Sequence, residues 1–126
     1  MRVFKNKWFA RWARAEDVPD SALLRAAVEV VAGQVEADLG GCLFKKRLAR
    51  EGSGTRRGYR VLIGYKRPVT DRIVFLYAFA KNARANISDK EVEALSLVAE
   101  AFVSATDAQV SLLLKEGSIV EVQHHE

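Results

Sequence analysis

The sequence predicts an α+β fold: a small antiparallel sheet of about four strands packed against two N-terminal helices, with one or two helices after it. Three observations carry this. Two apolar stripes at helical spacing lie within the first 33 residues, three aliphatic and aromatic segments separated by brief turns fill the middle, and a capping box at Ser88 opens a further amphipathic stretch.

Arg2 to Lys5 reads as a short strand. Trp8, Phe9, Trp12 and Ala13 then follow at i, i+1, i+4 and i+5, one face of a helix that Asn6 can cap. Pro19-Asp20 starts a second helix, with Asp20 as N-cap, Leu23, Leu24, Ala27, Val28 and Val31 on one face and Gly33 as the stop. Two short amphipathic helices need a sheet to cover. Leu43 to Arg50, Tyr59 to Lys66 and Arg72 to Lys81 supply it, and strands joined as briefly as by "GSGTRRG" and "RPVTD" are antiparallel. In the last strand Val74, Leu76, Ala78 and Ala80 alternate with Ile73, Phe75, Tyr77, Phe79 and Lys81; both sets are largely apolar, which places it centrally. Ser88 with Glu91 caps a helix whose inward stripe is Val92, Leu95, Ala99 and Phe102. Thr106 with Gln109 starts a shorter one to about Lys115, ended by Gly117, and Ser118 to Gln123 alternates like a strand or an extended tail.

A length of 126 residues suits one domain spanning 1–126, and 49% hydrophobic with 29% charged residues is globular composition. No apolar run approaches the roughly 20 residues of a membrane span, and "MRVFKNKWFARW" lacks the apolar stretch of a signal peptide, so a cytoplasmic location without membrane contact is expected. Cys42 is the only cysteine; no internal disulfide or Cys-based zinc site can form, and it reads as a small buried hydrophobe. The net charge of +4 hides two blocks. Residues 1–84 hold 18 basic residues against 8 acids, a net +10, and residues 85–126 hold 2 against 8, a net −6. A basic face of this kind favours a polyanion.

Between Lys45 and Arg60, seven of sixteen residues are Lys or Arg, with Glu51 the one acid. Lys45 and Arg47 project from one face of a strand, Lys46 and Arg50 from the other, and Arg60 stands at the start of the next strand near Arg56 and Arg57. Such a cluster is either a solvated charged hairpin or a phosphate-binding surface, since like charges repel unless an anion neutralises them. Several chemistries are excluded. The only histidines are His124 and His125 at the extreme C-terminus, the basic segment lacks the carboxylates of a two-metal site, and "GSGT" lacks the ending of a phosphate-binding Walker loop. Cation chemistry remains: Lys and Arg stabilise a pentacovalent phosphorane, and a Lys crowded by cations loses its proton more easily.

The segments "GGCLFKKRLA", "GSGTRRGYR" and "LYAFAKNARANI", in this order ahead of a capped helix, resemble the RelE/HigB family of bacterial toxins. The likeness spans roughly residues 1–104, leaving a C-terminal helix and tail over 105–126. It implies a ribosome-dependent endonuclease that cleaves mRNA by attack of a 2′-hydroxyl on the adjacent phosphate, with no metal and no cofactor. It also implies a cognate antitoxin, in the HigB-like branch usually a helix-turn-helix, HigA-like protein. Carried across by position, Lys45, Arg47, Arg60 and Lys81 become the catalytic candidates, while Lys46, Arg50, Arg56, Arg57, Asn82 and Arg84 become RNA-binding ones. Asn82 stands where the best-known branch has an arginine, and Asn86-Ile87-Ser88 offers no counterpart of that branch's tyrosine, so no general acid is assigned. Tyr59 and Tyr77 are open to stacking on a base or to packing. Two other functions stay open: a ParE-like toxin that inhibits a topoisomerase without nuclease activity, and a plain RNA- or DNA-binding module.

Overall fold

The computed structural model describes residues 1–49, 58–66 and 71–124. Its strands are β1 (Arg2–Asn6), β2 (Ala37–Asp38), β3 (Leu43–Leu48), β4 (Tyr59–Gly64), β5 (Arg72–Ala80) and β6 (Ile119–Glu121); its helices are α1 (Lys7–Ala15), α2 (Asp20–Val31), α3 (Asp89–Ser104) and α4 (Asp107–Glu116). The class is α+β, as the sequence predicts, but among the described residues the sheet has six strands rather than about four, in the order β2-β3-β4-β5-β1-β6. It is also mixed, because β1 runs parallel to β5. The count falls short because β2 has two residues, too few to show a period, and because the Ser118 to Gln123 segment, open to a strand or an extended tail, forms the three-residue edge strand β6.

The helices do not form one layer. Phe9, Ala13, Leu23, Ala27 and Val30 of α1 and α2 pack with Val61, Ile63, Ile73 and Phe75 on one face of the sheet. Ala99, Phe102 and Val110 of α3 and α4 pack with Leu43, Leu62, Val74 and Leu76 on the other. The expected arrangement, a sheet covered by its N-terminal helices, becomes a sheet between two helical layers.

Local chemistry sets the ends of these elements. Asn6 Oδ1 accepts the Phe9 N–H at 2.7 Å, capping α1, while its Nδ2 donates to Leu76 O and ties the cap to β5. Asp20 is the first helical residue of α2 rather than its N-cap, which is Pro19. Its carboxylate instead accepts from Lys5 Nζ and from the Gln123 N–H, joining α2 to β1 and the C-terminal end. Val28, expected to face inward, is 70% exposed because Ala26 and Val30 share the buried face with Leu23 and Ala27.

The simple alternation read into β5 fails at Leu76. Leu62 pairs with Tyr77 but Ile63 pairs with Phe75, so Leu76 is an extra residue in a β-bulge. Tyr77 and Phe79 therefore turn to the α3 side with Val74, and Ala78 and Ala80 to the α1 side. The strand is central, between β4 and β1.

Both capping boxes form, Ser88 with Glu91 on α3 and Thr106 with Gln109 on α4, and Gly117 at φ +79° ends α4. Gly64 lets α3 approach β4: a Cβ there would lie 3.0 Å from Val74 Cγ1 and 3.1 Å from Ala99 Cβ. Among the described residues no single helix is long and apolar enough to cross a membrane.

Candidate functional site

On β3 the side chains alternate between the two layers. Lys45 and Arg47 lie on the α3 side with Leu43, and Lys46 lies on the α2 side, its Nζ 3.0 Å from Glu29 Oε1. Register places Arg47 directly opposite Arg60 of β4, and Arg60 opposite Phe79 of β5. Two arginines face each other across a strand pair, an arrangement that repels unless an anion joins them.

That anion is Glu36. The chain reverses through Gly40, Gly41 and Cys42, all at positive φ, and a Cβ on Gly41 would lie 2.8 Å from Ser96 Cβ, so only glycine fits against α3 there. The reversal lays Glu36 beside β3, its N–H donating to Lys45 O at 2.8 Å. Its carboxylate lies 2.5 Å from Arg60 Nε, 3.6 Å from Lys45 Nζ and 4.0 Å from Arg47 Nε. Among the described residues the Arg60 Nε–H makes no hydrogen bond, so despite its closeness the contact with Glu36 is an ion pair whose N–H does not aim at the oxygen. Arg60 is only 5% exposed, and Glu36 supplies the counter-charge its burial requires. Cys42 in the same turn is half-buried rather than buried.

A second group of side chains braces the site. Lys45 Nζ donates to Asn86 Oδ1 at 3.2 Å, and the same oxygen accepts the Ile87 N–H. Arg84 holds this segment: its Nε donates to Asn86 O, its two Nη atoms grip Glu91 at 2.6 and 3.0 Å, and its guanidinium lies over the Phe79 ring. The hydrogen bonds from Arg84, reinforced by the Ser88 N–H, push the Glu91 carboxyl down to about 2, and the Arg84 guanidinium is correspondingly raised.

The structure thus brings Lys45, Arg47 and Arg60 together and leaves Lys46 on the opposite face. Arg84 is engaged with Glu91. Lys81 and Asn82 lie in an exposed turn after β5; the Lys81 N–H bonds to Gly58 O, and among the described residues neither side chain makes an ion pair or hydrogen bond. Arg50, Arg56, Arg57 and the "GSGT" turn lie outside the described residues. Tyr59 is buried, edge-on to Trp12, with its hydroxyl donating to Glu16, which is packing; Tyr77 is half-buried with its ring 4.5 Å from Trp8. Among the described residues no three His, Cys, Asp or Glu side chains gather as a metal-binding set. Arg47 and Arg60 also border a cleft of about 560 Å³ at the base of the β3–β4 hairpin, whose other charged walls are Arg25, Glu29 and Lys46.

Sequence reasoning missed Glu36 and Asn86. Their signals are slight, an acid in "VEAD" ahead of the basic hairpin and an amide between two elements, and neither has meaning until the turn and register are known.

A family model described as the RelE toxin of the RelE / RelB toxin-antitoxin system matches residues 1–122. The chain belongs to the RelE toxin family. No curated protein matches it. Membership makes it a RelE-type toxin of a toxin-antitoxin system, with a cognate antitoxin as partner. In this RelE toxin the match runs through α4 and β6, beyond the roughly 104 residues in which the resemblance was legible. The extension has a structural counterpart, since β6 pairs with β1 and buries Ile119, and Val122 just after it is buried with its N–H donating to Val3 O.

Proposed function

We propose that this RelE toxin is a metal-independent, ribosome-dependent mRNA endonuclease acting in the cytoplasm. The observation that carries this reading is the convergence of Lys45, Arg47 and Arg60 on a single carboxylate, a site already shaped to hold one compact anion. An mRNA phosphate takes the place of Glu36 against Arg60 and Lys45. The 2′-hydroxyl oxygen of the preceding nucleotide then attacks phosphorus, and the displaced Glu36 carboxylate accepts its proton. Arg60 and Lys45 stabilise the charge building on the phosphorane oxygens. The P–O5′ bond breaks, the leaving oxygen takes a proton from solvent water, Glu36 returns its proton to solvent, and the products are a 2′,3′-cyclic phosphate and a 5′-hydroxyl. Asn86 holds the Lys45 ammonium in position, and in this reading the exposed Arg47, Lys81 and Asn82 contact the flanking RNA, as Arg50, Arg56 and Arg57, outside the described residues, are also expected to do. The antitoxin in this reading is a helix-turn-helix, HigA-like protein.

Expression of the chain alone is expected to arrest growth with cleaved mRNA, and co-expression of the antitoxin to restore growth. Arrest with intact mRNA and inhibited DNA supercoiling would replace the nuclease by topoisomerase inhibition, and no arrest with RNA binding retained would leave a binding module.

A further inference from the structure

Helix α3 is apolar on two sides. Leu95, Ala99 and Phe102 face the sheet, whereas Ala94, Leu97, Val98 and Ala101, at i, i+3, i+4 and i+7, are all exposed, Leu97 by 65% and Val98 by 49%. Leu97 and Val98 rim a groove of about 440 Å³ whose walls include Leu76, Phe102, Leu113 and Ile119, and the exposed Leu112 carries the apolar surface onto α4. A surface helix normally keeps one apolar face, and a contiguous second one marks an interaction site.

Charge selects the occupant. Glu93 and Glu100 are exposed and seven residues apart, so they line one edge of the stripe. A second copy packed antiparallel on α3 would set these glutamates against their own counterparts, and an anionic lipid surface would meet the same repulsion. A helix with apolar residues every three or four positions and Lys or Arg along its flank satisfies both the groove and the edge.

We propose that the outer face of α3 docks the cognate antitoxin through such a basic-flanked amphipathic helix. This rests on family membership and not on the nuclease reading. Because α3 begins three residues after Asn86, a partner lying along it also reaches the rim of the cation cluster.

The test is the affinity of the full-length toxin for the purified antitoxin encoded with it, measured by calorimetry for the wild type, the double variant Leu97→Glu/Val98→Glu, Glu93→Lys/Glu100→Lys, and Val28→Glu as an exposed apolar control on α2. The first double variant is expected to lose roughly 30-fold or more in affinity, as an interface anchor does. The charge reversal should lose several-fold, Val28→Glu should bind as wild type, and all should melt as wild type because the sites are exposed. Unchanged antitoxin affinity in Leu97→Glu/Val98→Glu would overturn the proposal. So would a toxin that is dimeric alone and becomes monomeric in that variant, which would assign the face to a second copy. RNA cleavage by the free toxin, measured separately, reports on the nuclease reading alone.

Discussion

Glu36→Gln is expected to bind RNA more tightly and to cleave it more slowly, two changes of opposite sign from one substitution. In the wild type the carboxylate competes with the incoming phosphate for Arg60, Lys45 and Arg47; glutamine keeps the shape and removes the charge. Binding therefore strengthens. The proton acceptor is lost at the same time, which typically lowers a rate by about 10² to 10⁴. Stability should fall as well, since Arg60 is left buried without its counter-ion. Breaking a fully buried pair costs about 3–5 kcal/mol. Glu36 is 28% exposed and glutamine still offers an oxygen, so about 1–3 kcal/mol is expected here. Added phosphate or RNA should then raise the melting temperature of the variant more than that of the wild type, because an anion binding the folded state stabilises it by mass action. Equal shifts for the two proteins, or weaker RNA binding by the variant, would show that Glu36 does not occupy the phosphate position.

Arg60→Ala is expected to lower single-turnover cleavage of mRNA on programmed ribosomes by roughly 100- to 1000-fold at saturating ribosome concentration. The loss corresponds to about 2.7–4 kcal/mol, that of one donor aimed at charge developing in the transition state. Arg60 suits this role because its neighbours fix it. It is buried on β4, flanked across the sheet by Arg47 and Phe79, and little of its side-chain freedom remains to be lost when the phosphate arrives. In the alanine variant Glu36 keeps Lys45 and Arg47 as partners, so no carboxylate is stranded and the fold should persist, which melting checks directly. Arg60→Lys should recover binding but not the full rate, since an ammonium lacks the planar fork. A deficit that disappears on raising the ribosome concentration would reduce Arg60 to an attractor of RNA.

Much of this site was legible because its signals are local. Strand alternation alone puts Lys45 and Arg47 on one face and Lys46 on the other, and both capping boxes stand in the sequence as they stand in the structure. What was not legible depends on chain segments meeting at long range. The parallel pairing of β1 with β5 joins residues about 70 apart, and neither strand's pattern names its partner. The bulge at Leu76 reverses the faces of four following residues without any change in composition. Glu36 becomes the centre of the site only after the chain turns back at Gly40-Gly41-Cys42, so its sequence neighbours, all uncharged or acidic, give no hint of three cations. Lys81, which the resemblance groups with Lys45, Arg47 and Arg60, stands in the exposed turn after β5, where its backbone N–H bonds to Gly58 O, while the described ion pairs of Glu36 go to the other three.

Lys45 and Lys46 are adjacent, equally charged and on opposite faces of β3, the first against Glu36 and Asn86, the second against Glu29. The most direct measurement is therefore the single-turnover cleavage rate of Lys45→Ala and Lys46→Ala on programmed ribosomes at saturation, with folding and ribosome binding checked for each. If the scissile phosphate sits on the α3 side of the sheet, Lys45→Ala should lose roughly 100-fold or more while Lys46→Ala cleaves at a rate near that of the wild type. Equal losses in the two variants, or a larger loss at Lys46, would contradict the assignment of the Lys45, Arg47 and Arg60 cluster as the catalytic site.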